Sequence, residues 1–181
     1  AMSPTDAEAV IYRGGGDFWL VDTKTGATKQ VLRGHTRQIQ NVLFGPSGEQ
    51  ILSLAGDRSI RLWDVSTGAE ISRLTTDEHM GFRDLLWSRD GQTAITTTDR
   101  AIQRWDLSNE QITHQENRAR NGSRYGTLAG STDGKLFALS DGDGISIRSA
   151  TDLTELQRLD GHREEVAHLT FSANGQLLAS T

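Results

Sequence analysis

Apolar residues in this chain fall into short runs, alternating or rich in β-branched types, broken by Gly, Asp, Asn and Ser. Such runs read as strands joined by tight turns, because alternation at period two buries one face of a sheet and small or polar residues supply the turn geometry. No stretch keeps a helical period. The clearest set lies between Gly34 and Leu74: IQNVLF (39–44), QILSLA (50–55), SIRLWD (59–64) and AEISRL (69–74). The same four-part pattern returns as FRDLLW (82–87), QTAITTT (92–98), AIQRWDL (101–107) and QITHQEN (111–117). It returns again as RYGTLA (124–129), KLFALS (135–140), GISIRS (144–149) and TELQRL (154–159). At the ends, AVIYRG (9–14), FWLVD (18–22) and ATKQVL (27–32) align with second, third and fourth strands. VAHLTF (166–171) and QLLAST (176–181) align with a first and a second.

The turns set the period. Gly48, Gly91, Gly134 and Gly175 close FGPSG, WSRDG, GSTDG and FSANG at spacings of 43, 43 and 41 residues. Between them lie RLWD (61–64) and RWDL (104–107), with GH dipeptides at Gly34–His35 and Gly161–His162. A period of this length with GH and WD marks predicts small four-stranded sheets stacked radially, a β-propeller. The expected fold is therefore all-β, with four-stranded antiparallel blades and about four blade equivalents per chain. Residues 1–8 are expected as a disordered tail whose Ala-Met reads as a cloning scar. The propeller segment is 9–181, with blades at 9–33 (partial), 34–75, 79–118, 122–160 and 161–181 (partial). Open strand edges are sticky, so self-association is expected. A homodimer in which a second chain closes the array into an eight-bladed ring is favoured over a four-bladed ring, and a piece cut from a longer array stands beside both.

Composition changes this picture little. The chain has 181 residues, 35% of them hydrophobic, with 19 glycines and no cysteine. Disulfides and thiolate metal sites are thereby excluded. A net charge of −5 argues against non-specific binding to nucleic acid, which rests on neutralising phosphates. No apolar run is long enough for a membrane helix, and the opening residues lack a signal peptide's basic and apolar regions. A cytoplasmic setting is expected.

By its GH, WD, period and turn pattern, the segment 9–181 resembles the WD40-repeat propellers. The resemblance implies that a His, a Ser or Thr, an Asp and a Trp brace each blade through hydrogen bonds. The blade at 34–75 carries all four as His35, Ser53, Asp57 and Trp63. The next keeps Thr96, Asp99 and Trp105, with His79 one residue out of phase. The third has Asp143 but Leu139 in place of the hydroxyl and Ser149 in place of Trp, and the last offers His162 and Ser180. The resemblance also implies that partners bind the loops entering the first strands and those joining the second and third. Gln38, Gln40, Arg83 and Glu165 are the candidates there. Other proteins are the expected partners, and the role is that of an interaction scaffold within a larger, bacterial-type regulatory protein.

Two chemical alternatives compete. His, Ser and Asp together could form a hydrolytic triad, but these sit at repeat offsets and no G-x-S-x-G elbow exists. No His/Asp/Glu set has metal-ligand spacing, and no cofactor is expected. The reading is therefore non-enzymatic, with a propeller hydrolase or dehydrogenase as the alternative. The loop NRARNGSR (117–124) places Arg118, Arg120 and Arg124 together, a set able to grip a carboxylate or phosphate. A solvated loop paired with nearby Asp77, Glu78, Glu164 and Glu165 is the competing account.

Overall fold

The computed structural model describes residues 1–75, 81–98, 100–117 and 125–181. They form seventeen strands, and no α-helix occurs among the described residues. Sixteen of the strands begin and end within two residues of the runs read from sequence. The last two are shorter, Leu169–Phe171 and Leu178–Ser180, because Ala167 and His168 both donate to the Thr181 carbonyl and bulge the pairing. The chain divides into two compact units, residues 1–81 and 82–181.

The first unit holds two antiparallel sheets. One is β1 (Glu8–Tyr12), β2 (Phe18–Asp22) and β3 (Thr28–Leu32). The other is β4 (Ile39–Phe44), β5 (Gln50–Ala55), β6 (Ser59–Asp64) and β7 (Glu70–Thr75). Val10, Phe18, Leu20 and Leu32 from the first meet Ile39, Val42, Ile51, Ala55 and Trp63 from the second in one buried cluster. Phe18 stands edge-on to the Trp63 ring at 5.4 Å. Backbone and side-chain bonds fix the sheets to each other: Ile39 N–H to the Gly15 carbonyl at 3.0 Å, and the Gln30 amide to the Ser66 carbonyl at 2.7 Å. Gly16 lies so close to the His35 carbonyl that a Cβ there would fall 1.9 Å from its oxygen.

The N-terminal residues depart from the expectation of a disordered tail. Ser3-Pro4-Thr5-Asp6 makes the turn that Gly45–Gly48 makes one repeat later. Asp6 N–H donates to the Ser3 carbonyl at 3.0 Å, as Gly48 does to Gly45 at 2.9 Å. Ser3 N–H reaches Glu8 as Gly45 N–H reaches Gln50, each at 2.8 Å, and Ser3 is buried. Met2 bridges Ala9, and Ala1 exchanges two backbone bonds with Val10. Residues 1–3 thus lie where the inner strand of a blade lies. The turn lacks a glycine because Asp6 adopts the left-handed conformation itself, at φ 55°.

The second unit holds β8 (Phe82–Trp87), β9 (Thr93–Thr98), β10 (Ala101–Asp106) and β11 (Gln111–Asn117) as one sheet. A second comprises β12 (Tyr125–Gly130), β13 (Leu136–Asp141), β14 (Gly144–Ser149) and β15 (Glu155–Leu159). The pair β16 (Leu169–Phe171) and β17 (Leu178–Ser180) forms the third. Ile95 and Ile102 pack against Tyr125, Leu128, Phe137 and Leu139. Ala129, Ala138 and Ile145 pack with Val166, and Leu169, Phe171 and Leu178 close on them. The Asp84 carboxylate of β8 accepts the Leu128 N–H at 2.7 Å and pins β12 beside it. No helix among the described residues is long and apolar enough to cross a membrane.

Candidate functional site

The four residues singled out in the β4–β7 sheet form one hydrogen-bonded chain. Trp63 Nε1–H donates to Ser53 Oγ at 2.8 Å, Ser53 Oγ lies 2.7 Å from His35 Nε2, and His35 Nδ1 lies 3.0 Å from Asp57. A carboxylate only accepts, so Nδ1 carries the proton, and the Ser53 hydroxyl donates to Nε2 while accepting from the indole. Every polar atom of the chain is then satisfied, which a buried network requires. The strands explain the placement. Ser53 and Trp63 point to the face shared with β1–β3, and the Gly34–His35 loop lays the imidazole against them.

Arg61 joins this set, and nothing in the sequence reading flagged it. It is almost fully buried, with Nη1 2.7 Å from Glu70 and Nη2 3.4 Å from Asp57, and Nε donates to Ser59 Oγ at 3.3 Å. A Cβ on Gly34 would stand 2.4 Å from Arg61 Nη1, so that glycine leaves room for the guanidinium. The signal was available in the alternation of SIRLW, which puts Arg61 on the same face as Trp63. Burial works against the Asp57 charge, but bonds from Ser59, the Thr36 N–H and His35 outweigh it and hold the carboxyl down at about 2. Burial also pushes the His35 imidazole below its ordinary value, against the pull of Asp57.

The second unit keeps parts of the pattern. Trp105 Nε1–H donates to Thr96 Oγ1 at 2.9 Å, and His162 Nε2 lies 2.8 Å from Ser180 Oγ. His79 and Asp99 lie outside the described residues. In the β12–β15 sheet the Trp position is held by Arg148, and the assignment of Ser149 there is corrected. Phe137 pairs with Arg148 as Ile51 pairs with Trp63 and Ala94 with Trp105, and each of the three follows the same bulge. The β13–β14 turn is a residue shorter than the β5–β6 turn, so counting onward from Asp143 overshoots. Leu139 stands in the register of Ser53 and Thr96. Buried Arg148 donates to Glu116 at 2.5 Å, Glu155 at 3.1 Å and the Leu153 carbonyl at 2.8 Å.

The loop candidates are exposed. Gln38 and Gln40 flank the start of β4, and their carbonyls accept the Gly56 N–H at 2.9 Å and the Tyr12 hydroxyl at 3.4 Å, which leaves both side chains facing solvent. Arg83 is the second residue of β8, and Glu165 precedes Val166, whose N–H is tied to the Gly142 carbonyl at 3.0 Å. Arg118, Arg120, Arg124, Asp77 and Glu78 lie outside the described residues. A cleft of about 780 Å³ in the first unit is lined by Glu8, Lys29, Gln30, Glu49, Asp64 and Ser66. Its Lys29 is paired with Glu8 at 2.5 Å, Ser66 Oγ is turned into Asp64 at 2.6 Å, and no histidine lines it. Among the described residues, no three His, Asp or Glu side chains converge as metal ligands.

The family "WD domain, G-beta repeat" matches residues 26–64 and 153–181, the two stretches that hold the His35–Trp63 chain and the His162–Ser180 pair. Together with the repeated four-stranded sheets, this decides the matter. The chain belongs to the WD40-repeat family. Its sheets are WD40 propeller blades. Among similar proteins are "Cell division cycle 20.1, cofactor of APC complex" of Arabidopsis thaliana, 34% identical over 137 residues and 72% of this chain. "Coronin-7" of Mus musculus is 31% identical over 153 residues and 82% of this chain, and "WD repeat-containing protein AAC3" of Dictyostelium discoideum is 27% identical over 157 residues. The chain spans 29%, 16% and 32% of those proteins' lengths.

Proposed function

We propose that this WD40 segment is a non-catalytic platform on which another protein is held by the loops entering the inner strands, at Gln38, Gln40, Arg83 and Glu165. One observation carries the reading. Of the groups that could have done chemistry, His35 and Ser53 are buried and the Asp57 side chain is 8% exposed, and all three are joined with Trp63 in one hydrogen-bonded chain, so their polar atoms brace the blade. The side chains of Gln38 and Gln40, directly beyond that braced corner, face solvent on a rigid support, which is how binding loops are usually presented. The Arabidopsis relative is named as a cofactor of a complex, which fits a part played by binding.

The test is affinity capture with the wild type and with the fourfold variant Gln38→Ala, Gln40→Ala, Arg83→Ala, Glu165→Ala. Loss of specific bound proteins at an unchanged melting temperature supports the reading. Retention of the same proteins moves the binding surface elsewhere, and hydrolysis of generic ester or peptide substrates by the wild type, abolished by Ser53→Ala, overturns the non-catalytic assignment.

A further inference from the structure

The β4–β7 sheet lies inside the sequence, with sheets before and after it, and its two loops at the His35 end are tied to each other. Thr36 N–H donates to the Asp57 carboxylate and Gly56 N–H to the Gln38 carbonyl, each at 2.9 Å. The β1–β2 turn joins them, because Ile39 N–H donates to the Gly15 carbonyl at 3.0 Å. Residues 13–17, 33–38 and 56–58 thus form one corner. They carry four arginines against two aspartates, in a chain of net charge −5. Both aspartates are taken up: Asp17 pairs with Arg33 at 3.4 Å, and Asp57 meets His35 and Arg61. Arg13, Arg37 and Arg58 are exposed, and their guanidinium groups have no hydrogen bond or ion pair among the described residues.

The blade does not need these side chains. The Gly161–His162 loop repeats the Gly34–His35 loop, with His162 on Ser180 as His35 is on Ser53, and it places Glu164 where Arg37 stands. The frame therefore accepts either charge there. Arg58 is disfavoured by its own backbone, at φ 63°, where a Cβ crowds the following carbonyl and glycine is unstrained. Glu110 holds that conformation too, between β10 and β11, so strain by itself assigns nothing. At Arg58 the strain coincides with a guanidinium that bonds to nothing, on a loop that Arg37 also covers: a Cβ on Gly56 would stand 3.5 Å from the Arg37 Cβ. The exposed amides of Gln38 and Gln40 adjoin them. We propose, on the reading of this chain as a binding platform, that the corner holds an acidic segment of a partner protein through Arg13, Arg37 and Arg58. Guanidinium forks match the carboxylates of Glu and Asp bidentately. One fork on each of three loops suits carboxylates spaced along a segment, and the chain's net negative charge opposes a nucleic-acid backbone.

Fluorescence anisotropy with the intact chain tests this on two dye-labelled peptides, one alternating Glu and Ser and its twin with Gln for Glu. The Glu peptide is expected to bind about tenfold more tightly than its twin, and less so as salt rises. Arg37→Gln and Arg58→Gly should each weaken it by about tenfold. Lys24→Gln, which removes an exposed charge from the β2–β3 turn at the other end of the strands, should leave it unchanged. Arg58→Gly also relieves the backbone, so its melting temperature should hold or rise while its affinity falls, which an arginine needed for folding would not allow. Equal affinity for the two peptides overturns the proposal, as does unchanged affinity in both arginine variants. A single-stranded oligonucleotide of the same charge that binds more tightly than the Glu peptide overturns it in favour of a phosphate backbone. The platform reading is judged apart from this, by the proteins captured on the fourfold variant, and survives if only the acidic segment fails.

Discussion

The β4–β7 and β12–β15 sheets share a backbone register but stabilise the same buried position in different ways. In the first, Trp63 donates its indole N–H to Ser53, which donates to neutral His35, whose other nitrogen donates to the Asp57 carboxylate. In the second, Arg148 occupies that position beside Leu139, and its charge is met by Glu116 and Glu155, whose side chains are nearly half exposed. A neutral chain can close inside the sheet once each donor has one acceptor. A buried cation needs more than the one hydroxyl of Ser146, 3.0 Å from Arg148 Nε, and passes its charge outward to carboxylates that remain partly in water. The blade backbone is therefore indifferent to which solution it holds, and the difference lies in where the polar chain ends.

That contrast is broken most severely at the position itself. Trp63→Ala removes a fully buried ring packed on Phe18 and leaves Ser53 without a donor, and is expected to cost about 3–5 kcal/mol. Arg148→Ala frees two carboxylates that water can reach and is expected to cost about 1–3 kcal/mol. Urea unfolding of the two variants checks the order, and equal losses would mean that the aromatic packing adds nothing beyond the hydrogen bonds.

A smaller difference separates the aspartates. Asp57→Ala should cost about 1–3 kcal/mol near pH 7 by leaving His35 and the Thr36 N–H without an acceptor. Exposed Asp143→Ala should stay within about 0.5 kcal/mol. The network also sets a pH dependence. The His35 imidazole is held below its ordinary 6.5, so the unfolded chain takes up the proton first. Stability present above 6.5 then drains as pH falls below it. The Asp57 carboxyl is held at about 2 against an ordinary 3.8, so its contribution is intact above 3.8 and is lost as pH falls toward 2. The urea midpoint should decline from pH 7 to pH 5 in the wild type and flatten across that interval in His35→Gln. An unchanged slope would assign the decline to another group.

Strands were legible because alternation and turn glycines repeat together, and the His35–Trp63 chain through the resemblance to WD40 repeats, which implies that set at these offsets. What escaped was marked by no glycine or lay beyond an irregularity. Asp6 makes a turn without glycine, so the first blade was read as beginning at residue 9, and the inner-strand position of residues 1–3 went unseen. Arg148 was displaced by one because residue counting assumes equal turn lengths, whereas pairing shows the β13–β14 turn to be tighter. Arg61 was hidden by composition, since an arginine in a strand reads as solvent-facing until its partners Glu70 and Asp57 are seen around it.

The last contrast lies in the turns after the third strands, where an exposed and a buried residue hold the same strained conformation and the expected effects differ in sign. Gly26 and Gly68 close these turns in the first unit at φ 71°. Glu110 and Leu153 hold the same left-handed conformation in the second, at 61° and 65°, where a Cβ crowds the following carbonyl. Glu110 is exposed, so Glu110→Gly relieves the strain at the cost of a more flexible unfolded chain, for a net gain of about 1 kcal/mol or less. Leu153 is 2% exposed and packs in the core with Phe137 and Leu139, so Leu153→Gly loses about 2–5 kcal/mol of burial against the same relief. Opposite signs in melting experiments would show that the second unit tolerates a strained backbone at Leu153 because the side chain there is needed, and at Glu110 for no structural gain. If both substitutions destabilise, the left-handed residues are held by contacts of their own and strain is not what distinguishes them.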